Sequence, residues 1–256
     1  MTFDDLPAGS AVAEDLGSLR QLTKRLLESV RKHGVPAVGF VNEGKLFARD
    51  AGPSEVEGRT ALLRMWLDAG LELGNHSYSH GDLNRMSLDE FQADVIRGEA
   101  VTRKLLAEKG GKLRYFRHPF LHVGDKLPKR RAFEEFLAAH GYTVAPVTVD
   151  NDEYVYAAVY ADARRRGDAA AAGRIGEDYL RYMDEVFSKT WRAGRPAARS
   201  SMCSCCTRIR STRTGSTRWP KRSCAAATAS SRWPRRSRTT CTVCPTRSSG
   251  HRATRG

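Results

Sequence analysis

The sequence predicts an α/β fold with a parallel sheet and helical crossovers, on three observations. Short apolar runs alternate with segments of helical periodicity through residues 1–187. Polar clusters recur just after the predicted strands, where parallel barrels build their sites. A length of 256 residues is one that a single α/β barrel commonly occupies.

Met1–Phe3 is too short for a good central strand and runs at once into Asp4 and Asp5, so an upstream piece of the first strand is expected to be missing. Leu16, Leu19, Leu22, Leu26, Leu27 and Val30 recur at helical spacing before Gly34, which predicts a helix over residues 14–33. Val35–Val41 reads as a buried strand, with Pro36 tolerable at its start. A helix over Glu55–Ala69 precedes the short strand Leu71–Leu73, which delivers His76. Ser87 and Glu90 form a capping-box pattern, and the helix they open is predicted to run to about Lys109, where Gly110 and Gly111 break it. Leu113–Phe116 is the next strand, ended by Pro119, which cannot donate to a ladder. Lys129–His140 reads as a helix, Tyr142–Val149 as the most strand-like run of the chain, and Tyr154–Arg165 and Ala169–Phe187 as two further helices.

Charge divides the chain sharply. The net charge of +14 suggests nucleic acid until it is apportioned: 17 Lys and Arg and no acid follow Glu185, leaving 26 basic against 29 acidic residues before it. All six cysteines also lie beyond residue 200, in spacings that fit neither a disulfide framework nor a zinc ribbon. We therefore expect a folded unit over residues 1–190 and a basic tail over 191–256. No apolar run approaches membrane-spanning length, and the N-terminus lacks a signal-peptide pattern. The expectation for the chain as written is a cytoplasmic product without a membrane segment. Export stays open if an upstream piece is missing.

The chemistry gathers on a few residues. His76 and His80 stand four apart, and imidazole suits zinc and its neighbours. A catalytic site of that kind needs a further ligand, and Thr2-Phe3-Asp4-Asp5 presents two acids at a strand tip. Arg117 and Asp150 also follow predicted strands. Each cluster has a bland alternative: spaced histidines can be surface groups, adjacent acids can cap helices, and an Asp after a strand often makes a turn. Their joint occurrence in this order is the stronger signal.

Thr2-Phe3-Asp4-Asp5, His76-Ser77-x-x-His80, Arg117-x-Pro119-Phe120 and Asp150 resemble the successive motifs of the polysaccharide deacetylases, carbohydrate esterase family 4, over roughly residues 1–187. The resemblance implies a distorted, incomplete (β/α) barrel that removes N- or O-acetyl groups from an acetylated carbohydrate. It implies Asp5, His76 and His80 as ligands of a divalent metal, with Zn²⁺ favoured and Co²⁺, Ni²⁺ or Mn²⁺ compatible. By the same resemblance Asp4 is the general base, Arg117 orients it, Asp150 tunes the catalytic acid, and the Phe120 N–H is an oxyanion donor. Tyr154 would be a platform for a sugar ring, and His122 either touches substrate or makes a structural hydrogen bond.

One family element has no counterpart: the catalytic acid is a histidine after a late apolar strand, and His251 lacks any apolar frame. From about Arg195 the composition cannot bury a core. Back-translated with GC-rich codons and read from the third base, Met202–Thr207 can encode Val-Leu-Leu-Leu-His, with the histidine spanning Cys206 and Thr207. The tail is therefore expected to be out of frame, and the chain to bind metal with little turnover. Two other functions remain open: hydrolysis of a non-carbohydrate amide by the same metal chemistry, and polyanion binding by the tail with Trp219 and Trp233 stacking on bases. The expected partner is an acetylated carbohydrate and not nucleic acid.

Overall fold

The computed structural model describes residues 1–9, 15–47 and 51–192. Residues 193–256, and with them the expectations placed on the tail, lie outside the described residues. Five parallel strands stand side by side in chain order: β1 (Thr2–Leu6), β2 (Val38–Val41), β3 (Glu72–Asn75), β4 (Tyr115–Phe116) and β5 (Thr143–Val144). Neighbours in sequence that are also parallel neighbours in space need a crossover on every step. Helices supply them, and the result is an arc of a (β/α) barrel.

Between β1 and β2 runs α1 (Leu16–Lys32), whose N-cap Asp15 accepts the Ser18 N–H at 3.0 Å. Its buried Leu19, Leu27 and Val30 are among the residues whose spacing announced the helix. The second crossover is α2 (Pro53–Asp68), with Pro53 at the first turn, where its missing N–H costs nothing. Its fully buried Trp66 meets Phe3 of β1 edge-on at 5.3 Å. The core continues through Val41, Leu73, Phe91, Phe116 and Phe133 beneath the sheet.

The third crossover corrects an expectation. The capping box is present, with Ser87 accepting the Glu90 N–H and Glu90 accepting the Ser87 N–H at 2.9 Å. The helix it opens does not reach Lys109, however. It divides into α3 (Leu88–Arg97) and α4 (Ala100–Glu108). The cause is a close approach at Gly98, where a Cβ would stand 2.5 Å from the Tyr78 backbone N. Tyr78 N–H donates to the Asp94 carbonyl at 3.1 Å, so the loop after β3 crosses the junction and only glycine fits beneath it.

Beyond β4, α5 (Leu127–Ala139) returns the chain to β5. The predicted strand Tyr142–Val149 shrinks to Thr143–Val144. Ala145 N–H still donates to the Phe116 carbonyl at 2.8 Å, but Pro146 follows and has no N–H with which to continue. The last described helices, α6 (Glu153–Arg165) and α7 (Ala169–Arg192), pair through a small cluster of their own around Tyr160, Ala163 and Ala172.

Candidate metal centre

Local backbone geometry builds the site before any side chain does. Asp5, Ser77, His80, Phe120 and Leu121 are the non-glycine residues with positive φ among those described, at 68°, 61°, 58°, 55° and 59°. All lie at the carboxyl ends of β1, β3 and β4 or in the loops that follow. Left-handed backbone outside glycine is costly and persists where the surroundings impose it. Here it turns three loops toward one mouth.

The donor set converges there. Ligand atoms of Asp5, His76 and His80 all lie within 4.8 Å of one another. His80 Nε2 is 3.6 Å from Asp5 Oδ1. Bonds of about 2.0–2.2 Å around a tetrahedral ion would separate neighbouring ligand atoms by roughly 3.4 Å, so this pair already stands near the spacing that a single ion requires. Two imidazoles and a carboxylate suit zinc or a similar divalent ion.

Tautomers and charges agree with that fit. His76 is buried, and its Nδ1 stands 2.8 Å from the Arg117 carbonyl, which can only accept. The proton therefore sits on Nδ1, leaving Nε2 as the donor for a metal, in the usual arrangement of an oriented ligand histidine. Burial lowers the His80 pKa, against an opposing pull from Asp5, which favours the neutral ring that a metal needs. At Asp5 burial pushes the carboxyl up, but Lys45, His76 and His80 together outweigh it and hold the pKa below the ordinary value.

The loop after β3 is braced by buried amides. Asn75 Oδ1 accepts the Ser77 N–H at 2.7 Å, while its Nδ2 donates to the Val95 carbonyl and to Tyr142 Oη. From β2, Asn42 Nδ2 donates to the carbonyls of His76 and Ser77. Both asparagines are fully buried.

Asp4 and Arg117 lie beside the donor set. Arg117 is 1% exposed; its Nη2 donates to Thr2 Oγ1 at 3.0 Å, its Nε is 3.9 Å from Asp4 Oδ2, and its guanidinium stands over Phe40. Phe120 is 56% exposed on the outer rim, with its ring edge-on to His80 at 4.5 Å. The structure thus brings together Asp4, Asp5, His76, His80, Arg117 and Phe120.

Three expected site residues sit differently. The exposed Asp150 uses its carboxylate locally, accepting the Asn151 N–H at 2.9 Å, which is the turn-forming role. The His122 Nδ1 pairs with Asp82 Oδ1 at 2.7 Å, and Asp82 also accepts the Asn84 N–H, so His122 makes the structural hydrogen bond. Its ring nevertheless stays on the rim, 5.8 Å from that of Phe120. Tyr154 is 66% exposed in the first turn of α6.

One neighbour of the donor set was not foreseen. Lys45 Nζ lies 2.8 Å from Asp5 Oδ1. The available signal was its address: Asn42-Glu43-Gly44-Lys45 follows the carboxyl end of β2, just as the recognised clusters lie toward the carboxyl end of β1 or follow β3 and β4.

The family model described as polysaccharide deacetylase matches residues 1–145. No curated protein matches the chain significantly. Among solved structures, a family 4 carbohydrate esterase from Streptomyces lividans in complex with acetate is 22% identical, covering 62% of this chain and 68% of that one, with a TM-score of 0.43. The chitin deacetylase from the fungal pathogen Colletotrichum lindemuthianum is 25% identical over 60% of this chain and 57% of its own, with a TM-score of 0.44. A CE4 family pseudoenzyme from Bacillus anthracis is 18% identical over 76% and 61%, with a TM-score of 0.42. The chain spans less than two thirds of the second and third of these.

Proposed function

We propose that this chain, which belongs to the polysaccharide deacetylase family, carries the metal-binding half of a hydrolase for acetyl groups on a carbohydrate. The convergence of Asp5, His76 and His80 within 4.8 Å, with Asp4 and Arg117 beside them, carries this reading. Removing an acetyl group requires an activated water and a place for negative charge on the carbonyl oxygen. A divalent metal supplies Lewis acidity toward both when bound, Zn²⁺ being the preferred ion and Co²⁺, Ni²⁺ or Mn²⁺ also compatible with the donor set.

The protein's own groups do the rest. Asp5, His76 and His80 hold the ion. Asp4 accepts the proton of the attacking water, and Arg117, anchored on Thr2, holds that carboxylate in place. The Phe120 N–H donates to the developing oxyanion, its left-handed φ of 55° turning the backbone at the rim. Tyr154 offers an exposed face on which a sugar ring can stack, and His122 lines the approach. Asp150 belongs to the machinery that tunes a catalytic acid, and that acid is what this chain lacks. We assign residues 1–190 to the deacetylase-like unit and read residues 191–256 as out-of-frame sequence in which the family histidine is lost. Such a chain is impaired in turnover.

The test is acetate release from a panel of N- and O-acetylated oligosaccharides, with Zn²⁺ and after chelation. A frame-restored chain should show metal-dependent release that falls by on the order of 100-fold or more in His76→Ala, the scale on which removal of a key catalytic group is felt. Undiminished release by His76→Ala, or after complete chelation, would overturn the assignment.

A further inference from the structure

We propose that Lys45 is a resident cation that sets how tightly the centre takes its metal; the inference rests on Asp5, His76 and His80 being the ligands. Lys45 Nζ meets Asp5 Oδ1 at 2.8 Å, and His80 Nε2 lies 3.6 Å from that same oxygen. Oδ1 is therefore the Asp5 oxygen that faces the His80 ring, and the ammonium is seated on it. Both side chains are partly buried, at 26% and 21% exposure, so solvent screens the charge incompletely.

The ammonium is not on a loose arm. Lys45 belongs to a short 3₁₀ turn, Glu43–Lys45, tied down along its length. The buried Glu43 carboxylate accepts the N–H groups of Val101 and Thr102 at 3.0 and 2.6 Å, gripping the start of α4. Gly44 N–H donates to the Tyr78 carbonyl at 3.0 Å, and the Lys45 carbonyl accepts from Arg59 Nη1 at 3.2 Å. The backbone that carries Lys45 is thus braced against the His76–His80 loop and against α2.

Charge then decides the sign of the effect. Asp4 and Asp5 face Arg117 and Lys45, so formal charges balance before a dication arrives. An incoming ion of charge two meets a fixed positive charge on the oxygen it must bind. A carboxylate oxygen has room for two partners, so Lys45 need not leave, but the repulsion persists while both are present. Lys45 therefore weakens metal binding and makes the loaded centre more electropositive, which favours negative charge on an acetyl oxygen. A purely orienting lysine would have the opposite effect on affinity.

Competition against a chromogenic chelator, with Zn²⁺ as probe and the full chain, measures this directly. Lys45→Met and Lys45→Gln should each bind Zn²⁺ about tenfold tighter or more, the scale expected from removing a like charge at close range. Lys45→Arg should stay within about threefold of the parent because it restores the charge. Circular dichroism would verify folding, and either neutral variant that folds decides the matter. Unchanged or weaker binding in the neutral variants, with binding still abolished by His76→Ala, would sink the role of Lys45 alone. Absence of Zn²⁺ binding in the parent and in every Lys45 variant would sink the metal-centre reading, and this inference with it.

Discussion

At the scale of single residues, His118 shows how closely a titrating group can lie to the centre without belonging to it. It sits between Arg117 and Pro119, 6% exposed, with its ring against Phe116 and Phe133. Burial pulls its pKa down from 6.5 to about 4. The folded state therefore resists protonating a ring that the unfolded chain protonates readily. Its contribution is intact above pH 6.5 and is lost progressively as pH falls toward 4, amounting to roughly 3 kcal/mol over the whole window. Urea midpoints measured at pH 7 and pH 5 should fall accordingly, and His118→Phe should flatten that dependence; an equally steep loss in the variant would assign it to other groups. At this scale the sequence was most legible for the residues that converge at the mouth. Asp5, His76 and His80 are short-range patterns at strand ends, and pattern suffices to find them. Lys45 escaped because no motif marks it, and its partner is 40 residues away in sequence. Asp150 marks the complementary limit, since an Asp after a strand reads the same whether it serves a site or a turn.

At the scale of elements, capping chemistry and apolar periodicity are local, so α1, α2 and the start of α3 could be read directly from the chain. The break between α3 and α4 could not. Gly98 looks like an ordinary helix glycine until the Tyr78 backbone is placed 2.5 Å from where its Cβ would be. Gly98→Val should consequently push the loop after β3 away, costing about 1–3 kcal/mol of stability as overpacked sites typically do. It should also weaken Zn²⁺ binding, because that loop carries His76 and His80. Chemical denaturation and chelator competition on the same protein would check the pair of effects; lost stability with unchanged affinity would show that the loop adapts. The short β5 is a second case in which a three-dimensional register, cut off by Pro146, overrode a run of β-forming residues.

At the scale of the whole molecule, the order of the strands was legible because alternation of the two periodicities implies parallel crossovers, and parallel neighbours in sequence order build an arc. Beyond α7 the charge and cysteine content of the chain change together. The frame hypothesis gives this a measurable form. A chain re-encoded from the third base after residue 190 should release acetate on the order of 100- to 10,000-fold faster than the present one, the usual worth of a general acid. Both should bind Zn²⁺ with similar affinity, since the ligands precede the change. Equal turnover by the two chains would dispose of the hypothesis, as would stop codons in that frame of the encoding DNA.

The position of β1 has a consequence for all of this. Among the described strands it has a single neighbour, β2, yet its five residues carry Asp4, Asp5 and the Thr2 hydroxyl that anchors Arg117. If that strand frays, the proposed base Asp4, the proposed ligand Asp5 and the guanidinium's tether depart in one event. On the proposed ligand set, occupancy of the centre and docking of the N-terminal strand would be two readings of one equilibrium, and an ion bound at the mouth would act as a rivet for the edge of the sheet.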